Sequence, residues 1–197
     1  MYDDPNKDNP ICLFDMDGTL CDYDGAMEKE LIKLRSPGEP DEYGYEYNYS
    51  HSHLRARMEL IQSKPGWWEY MPQLPLGFEI LKIIQTFNFK IHVLTKGPFK
   101  VLNAWSEKVK WCRENLPSEI SVTITEDKGI VYGKVLVDDY PPYIERWLEH
   151  RPRGLVIMPV NKSNKTFKHP QVINYDGSDD AKRETIVRLQ LSTEKYF

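Results

Sequence analysis

The stretch NPICLFDMDGTLCDYDG, Asn9 to Gly25, sets a short apolar run, Ile11 to Phe14, directly before four acidic side chains that fall within ten residues: Asp15, Asp17, Asp22 and Asp24. A continuous apolar run of this length, closed by turn residues, has the pattern of a strand covered on both faces. Asp15 and Asp17 repel one another at its tip, so the pattern calls for something positive at that end of the strand.

The same kind of run recurs outward from this stretch. FKIHVLT ends at Thr95, SVTIT at Thr125, KVLVDD at Asp139 and QVINYD at Asp176, while GLVIMPV starts at Gly154. Helical patterns lie between them over Leu76 to Phe87, Val101 to Leu116 and Tyr143 to His150, and a capped helix is expected from near Ser178. Short apolar strands alternating with helices predict βαβ units, hence an α/β fold with a doubly wound parallel sheet. The stretch from Asp22 to Pro75 breaks the alternation. It carries two helical patterns, around AMEKELIKLR and SHLRARMELIQ, separated by a Tyr-, Gly- and Pro-rich segment, and it returns through MPQLPLG. We expect a core formed by residues 1–21 and 76–197 and a small helical cap, 22–75, inserted after the first strand and covering the carboxyl edge of the sheet.

Composition narrows the classes. A chain of 197 residues with 40% apolar content can bury the core of one domain with an insertion. A net charge of −4 argues against stable nucleic-acid binding through clustered cations and leaves small anionic substrates open. Cys12, Cys21 and Cys112 show neither disulfide nor zinc spacing, and the polar, proline-bounded start MYDDPNKDNP has no signal-like core. No run approaches the roughly 18 apolar residues of a membrane span. A cytoplasmic protein without a membrane partner is expected; a homodimer is compatible with the sequence.

In an open α/β sheet, ligands bind outside the carboxyl ends of the strands. Asp15, Asp17, Thr95, Lys128, Asp138 and Asp139 all lie at or just after such ends. Each has an ordinary reading of its own. DMDG can be an Asx turn, TKGP a plain turn, Lys128 a solvated lysine and VDD a helix cap. An EF-hand fails, because Thr19 and Leu20 stand where its loop needs an acid or amide and a glycine. Together, in order, at successive strand ends, they read as one pocket. Four carboxylates there need a hard cation such as Mg²⁺.

These residues resemble the motifs of the haloacid dehalogenase superfamily of phosphotransferases. DMDGTL matches its first motif, VLT ending at Thr95 the second, Lys128 the third, and Asp138-Asp139 the fourth. Within it the chain looks most like the 5′(3′)-deoxyribonucleotidases, through DMDGTLCDYDG, WSEKVKWCRENL and ITEDKGIVYGKVLVDD, over about residues 10 to 148. The resemblance implies Mg-dependent hydrolysis of (deoxy)nucleoside monophosphates through an aspartyl-phosphate. Asp15 would be the nucleophile and Asp17 the general acid and base, while Thr95 and Lys128 hold the phosphoryl oxygens. The cation would be held by Asp15, Asp17, Asp138 and Asp139, with Asp139 favoured as the direct ligand. Tyr23, Tyr45, Tyr47 and Trp68 are the expected base contacts, and Lys96 and Gly97 stand beside the phosphate, where a serine and a proline are usual. Tyr140 occupies a place where a basic residue is common. A superfamily phosphatase for a polynucleotide end, a sugar phosphate or another small metabolite would keep every core residue and change the cap. A receiver-type signalling domain shares the Asp, Thr and Lys but lacks the cap and the DxDG after its first strand.

Overall fold

The computed structural model describes residues 9–40 and 51–193. Six strands, β1 (Ile11–Phe14), β2 (Lys90–Lys96), β3 (Ser121–Thr125), β4 (Val135–Val137), β5 (Leu155–Pro159) and β6 (Val172–Tyr175), form one sheet in the order β3-β2-β1-β4-β5-β6. Every pairing is parallel. The chain winds outward from β1 through β2 to β3, then crosses to β4 on the other side of β1 and winds outward again. The order therefore reverses beside β1, and the crevice of a doubly wound sheet opens at such a reversal. Phe14 pairs with both Val93 and Val137, and Asp15 N donates to Val137 O at 2.8 Å, so Asp15 emerges between the two neighbouring strands.

The α/β expectation holds, and the interior strands β1, β4 and β5 are apolar throughout because helices cover both faces, while the edge strand β3 is only partly buried and carries Ser121, Thr123 and Thr125. Cys12, Phe14, Val93, Val135, Val137 and Ile157 pack against α3 (Pro75–Gln85), α4 (Leu102–Asn115) and α6 (Asp179–Thr193) through Ile80, Ile84, Ala104, Trp111 and Leu189. Leu13, Leu94, Leu136, Val156 and Met158 alternate to the other face and meet Ile144, Trp147 and Leu148 of α5 (Pro141–Glu149). Full burial of such side chains contributes about 1.5–3 kcal/mol each. Helices α3 and α5 begin a residue or two earlier than the periodicity indicates, since Pro75, Pro141 and Pro142 occupy first-turn positions whose N–H groups have no intrahelical partner.

The stretch between β1 and α3 adds no strand to the sheet among its described residues. Its helices α1 (Tyr23–Lys33) and α2 (Ser52–Gln62) bury Met27, Leu31, Leu54, Met58 and Ile61 against one another, with Tyr23 and Trp67 at the edge of that cluster. Two backbone bonds, Asp22 N to Pro72 O at 2.8 Å and Leu74 N to Leu20 O at 2.9 Å, tie its ends together. Tyr45 and Tyr47 lie outside the described residues. No helix among the described residues is long and apolar enough to cross a membrane.

Candidate active site

The first carboxylate, Asp15, follows β1 and is 4% exposed. Lys128 reaches it from the 3₁₀ turn Lys128–Ile130 after β3: its Nζ lies 2.7 Å from Asp15 Oδ1 and 2.8 Å from Asp138 Oδ2. That turn is fixed by Asp127, whose Oδ1 accepts from Gly129 N at 2.8 Å and whose Oδ2 accepts from Arg146 of α5 at 2.9 Å. Burial opposes the charge on Lys128, but Asp138 and Asp15 outweigh it and raise its pKa. Asp15 is pushed up to about 7, chiefly by burial and further by Asp138 and Asp17, against the pull of Lys128. Asp139 is driven well above its ordinary value by burial and by Asp138, Asp15 and Asp24.

Asp15, Asp138 and Asp139 each offer an oxygen within 4.8 Å of the others. Two carboxylates driven toward protonation, the buried Asp15 and the half-buried Asp139, stand in an all-oxygen cluster whose donor set fits a hard divalent cation. Both acids of the pair are engaged: Asp138 Oδ2 accepts from Lys128 and Oδ1 from Tyr140 N at 3.0 Å, while Asp139 Oδ1 accepts from Thr19 Oγ1 at 3.4 Å. Asp139 accepts from Asn161 Nδ2 at 2.9 Å, and its backbone carbonyl accepts from Asn164 Nδ2 at 2.8 Å. Gly18, at φ +72°, packs so closely that a Cβ there would stand 2.4 Å from Asp139 Oδ2.

The Asp17 carboxylate is not one of this cluster. It forms an ion pair with Lys108 of α4, whose side chain is 1% exposed. Lys108 Nζ also donates to Thr95 Oγ1 at 3.0 Å and to Lys96 O at 2.8 Å, and lies 4.4 Å from the centre of the Trp68 ring. Its neighbour Glu107 accepts from Gly66 N at 2.9 Å and Trp68 N at 3.3 Å, so consecutive residues of one helix hold the return segment and Asp17.

Three expected substrate contacts stand differently. Trp68 is 2% exposed, with its ring beside Tyr23, Trp67 and Lys108 and its Nε1 donating to Gln62 O at 3.0 Å; it is a packing residue with no free face for a base. Gly97 is buried, spends its N–H on Thr125 O at 3.1 Å, and is glycine because a Cβ would stand 2.3 Å from the Trp105 ring. Tyr23 is half-buried, and its hydroxyl accepts from Gln62 Nε2 at 2.7 Å. Lys96 keeps its place at the end of β2, its Nζ 5.2 Å from the centre of the Tyr143 ring, which also lies 4.8 Å from Lys128 Nζ.

Residues 9–183 match the family model described as 5′ nucleotidase, deoxy (Pyrimidine), cytosolic type C protein. The chain belongs to this family. Membership makes this type C nucleotidase-family protein a phosphoric monoester hydrolase of the haloacid dehalogenase type. The match runs well past the region around residue 148 where the resemblance read from motifs fades, and takes in Asn161 and Asn164. A protein of Bordetella bronchiseptica that carries the provisional name 5′(3′)-deoxyribonucleotidase is 25% identical over 138 residues, covering 66% of this chain and 74% of that one. A relative in Bordetella pertussis with the same name is 24% identical over the same shares. Among solved structures, a haloacid dehalogenase-like hydrolase of Xanthomonas campestris aligns with a TM-score of 0.48 at 13% identity, over 93% of this chain and 98% of its own.

Lys108 lies inside WSEKVKWCRENL, one of the stretches that carry the resemblance, but the resemblance assigns it no role there, and its placement leaves a signal. It lies four residues after Ala104 and three and four before Trp111 and Cys112, all buried, so a charge sits on the apolar stripe of α4. Asn161 and Asn164 leave none, since NKSN reads as a plain loop.

Proposed function

We propose that this nucleotidase-family protein is a Mg²⁺-dependent phosphomonoesterase that hydrolyses (deoxy)nucleoside monophosphates to nucleoside and phosphate through an aspartyl-phosphate on Asp15. The observation that carries the reading is the meeting of Asp15, Lys128, Asp138 and Asp139 at one sheet edge, with Asp17 and Thr95 joined through Lys108 beside them. Asp15 Oδ1 is occupied by Lys128 and by Met16 N at 2.7 Å, which leaves Oδ2 for attack on phosphorus. As that bond forms, the bond from phosphorus to the sugar oxygen breaks, and Asp17 gives the leaving oxygen its proton. Asp17 then takes a proton from the water that splits the aspartyl-phosphate and frees Asp15. The Thr95 hydroxyl already accepts from Lys108, so its own hydrogen is free to donate to a phosphoryl oxygen. Lys128 sets its charge against the same group. Asp15, Asp138 and Asp139, with the main chain at Asp17, would hold Mg²⁺, which supplies charge neutralisation for the phosphoryl oxygens when bound.

Substrate choice falls to residues 22–75, which we assign as the cap. Among the described residues Tyr23 and Trp67 are its half-buried aromatic residues, in edge contact with each other, and Lys96 adds a cation at the phosphate end. The "cytosolic" of the family description favours a cytoplasmic enzyme. The test is phosphate release, with Mg²⁺ or with EDTA, from deoxy- and ribonucleoside 5′- and 3′-monophosphates, sugar phosphates and a phosphorylated oligonucleotide. Metal-dependent release favouring nucleoside monophosphates is the expected result. Release from sugar phosphate or oligonucleotide alone overturns the substrate assignment, and activity undiminished by EDTA overturns the cation.

A further inference from the structure

At the opposite edge of the sheet, ahead of the amino ends of β4, β5 and β6, a cavity of about 920 Å³ opens. Lys134 enters it from just before β4, Arg151 and Arg153 from the loop before β5, His150 from the end of α5, and Arg188 from α6. No carboxylate lines it among the described residues, although the chain as a whole carries a net charge of −4. Such a concentration of one sign inside a concave wall focuses the field on whatever enters.

These cations are poorly neutralised. Lys134 and Arg153 have no carboxylate partner among the described residues, and Arg188 has only Glu184, one turn away on the same helix at 3.7 Å, besides donating to Pro170 O at 3.1 Å. Arg151 is the most constrained. Its Nη1 donates to Gly129 O at 2.7 Å and its guanidinium lies 5.1 Å from the Trp147 ring centre and 5.9 Å from that of Tyr132. Its Nε is buried with no acceptor, and burial lowers its pKa. With no counter-ion among the described residues, this partly buried cation is one that an anion in the cavity would stabilise.

Size and charge together define that anion. The cavity lies at the upper end of the roughly 300–1,000 Å³ range of small-ligand sites, so one phosphate would leave most of it empty. Four permanent cations match an extended chain of phosphates, which arginine and lysine bind through charge-assisted hydrogen bonds. Tyr132, 66% exposed, stands at the wall with its ring available to a planar group. We propose that this cavity binds the polyphosphate chain of a small ligand, either free or carried on a nucleoside. The site is separate from the acidic centre and stands independently of the substrate assigned there.

The test is calorimetric titration of the full chain at low ionic strength in EDTA, with inorganic tripolyphosphate and with deoxyadenosine triphosphate as probes. The comparison is the double variant Lys134→Gln/Arg153→Gln, whose residues lie away from the acidic centre and whose turnover of p-nitrophenyl phosphate with Mg²⁺ stays at the wild-type rate. We expect saturable one-to-one binding to the wild type that weakens about tenfold or more in the variant and falls with added salt. Tighter binding of the nucleoside triphosphate identifies the nucleoside-borne chain, and equal binding the free chain; both support the site. Absence of binding to the wild type, or a variant that binds within about threefold of it, overturns the proposal.

Discussion

Replacing Lys108 by Met tests whether this buried lysine positions the catalytic groups or merely fills the core. Methionine keeps the length of the side chain and removes the ammonium. Asp17 then loses its ion-pair partner, while Thr95 Oγ1 and the Lys96 carbonyl lose a donor. Breaking a fully buried pair costs about 3–5 kcal/mol. Asp17 keeps 24% of its side chain in solvent and can be rehydrated, which lowers the loss to about 2–3 kcal/mol. At about 2–4 °C per kcal/mol for a chain of this size, Tm falls by about 4–12 °C, measurable by calorimetry in EDTA. The kinetic effect separates the two roles. With Asp17 and Thr95 no longer held, kcat on a nucleoside monophosphate drops about 100-fold or more, the scale of a positioned acid and base, while KM stays within about threefold. A fall in Tm with kcat kept within about fivefold of wild type refutes the positioning role and leaves Lys108 as core.

Three other outcomes follow from the same geometry. Asp15→Asn abolishes turnover but raises Tm in EDTA at pH 8, because it removes a buried charge; retained turnover, or a lower Tm, counts against the nucleophile and the crowding argument. Because Asp15 is raised from 3.8 to about 7 in the fold, the metal-free folded chain keeps a proton that the unfolded chain releases, so its stability is fully present below about pH 4 and is lost as pH rises through 7. Excess Mg²⁺, binding the ionised form, reverses that loss by about 2.7 kcal/mol at 100 times its Kd, and Tm curves with Mg²⁺ and with EDTA diverge between pH 5 and 8; parallel curves are the refuting result. Trp68→Ala costs about 3–5 kcal/mol in urea unfolding as a lost core residue and alters KM for nucleotides and p-nitrophenyl phosphate equally, whereas a nucleotide-specific rise restores it as a base contact.

The interior strands were legible because helices cover both faces of the sheet, leaving continuous apolar runs, and edge strand β3 through its β-branched SVTIT; even β4, only three residues long, is marked by VLV before its acidic pair. Asp15, Thr95, Lys128, Asp138 and Asp139 were legible because a parallel sheet delivers its strand ends to one edge, so order along the chain stands in for proximity. Asp17 stands beside that edge but outside the carboxylate cluster in which the sequence reading counts it, and its ion pair leaves no local trace, since Lys108 comes from a helix 91 residues away. Asn161 and Asn164 were invisible for the same reason: their amides matter only once β5 has carried them to Asp139. The orientation of Trp68 could not be read either, because adjacent tryptophans in a return loop carry no periodicity to say which one turns inward.

The adjacency of Glu107 and Lys108 sets a boundary for transplanting substrate preference between relatives. One carboxylate clamps Gly66 and Trp68, the next residue's ammonium clamps Asp17, and both ride on the same rigid turn of α4. A chimera spliced only at residues 21 and 76 would bring in a foreign return loop against a native Glu107, and any misfit there would be relayed by one helical step to Asp17, the proton donor proposed above. For the cap proposed above, the exchangeable module is therefore discontinuous in sequence: the 22–75 stretch together with the 103–112 face of α4.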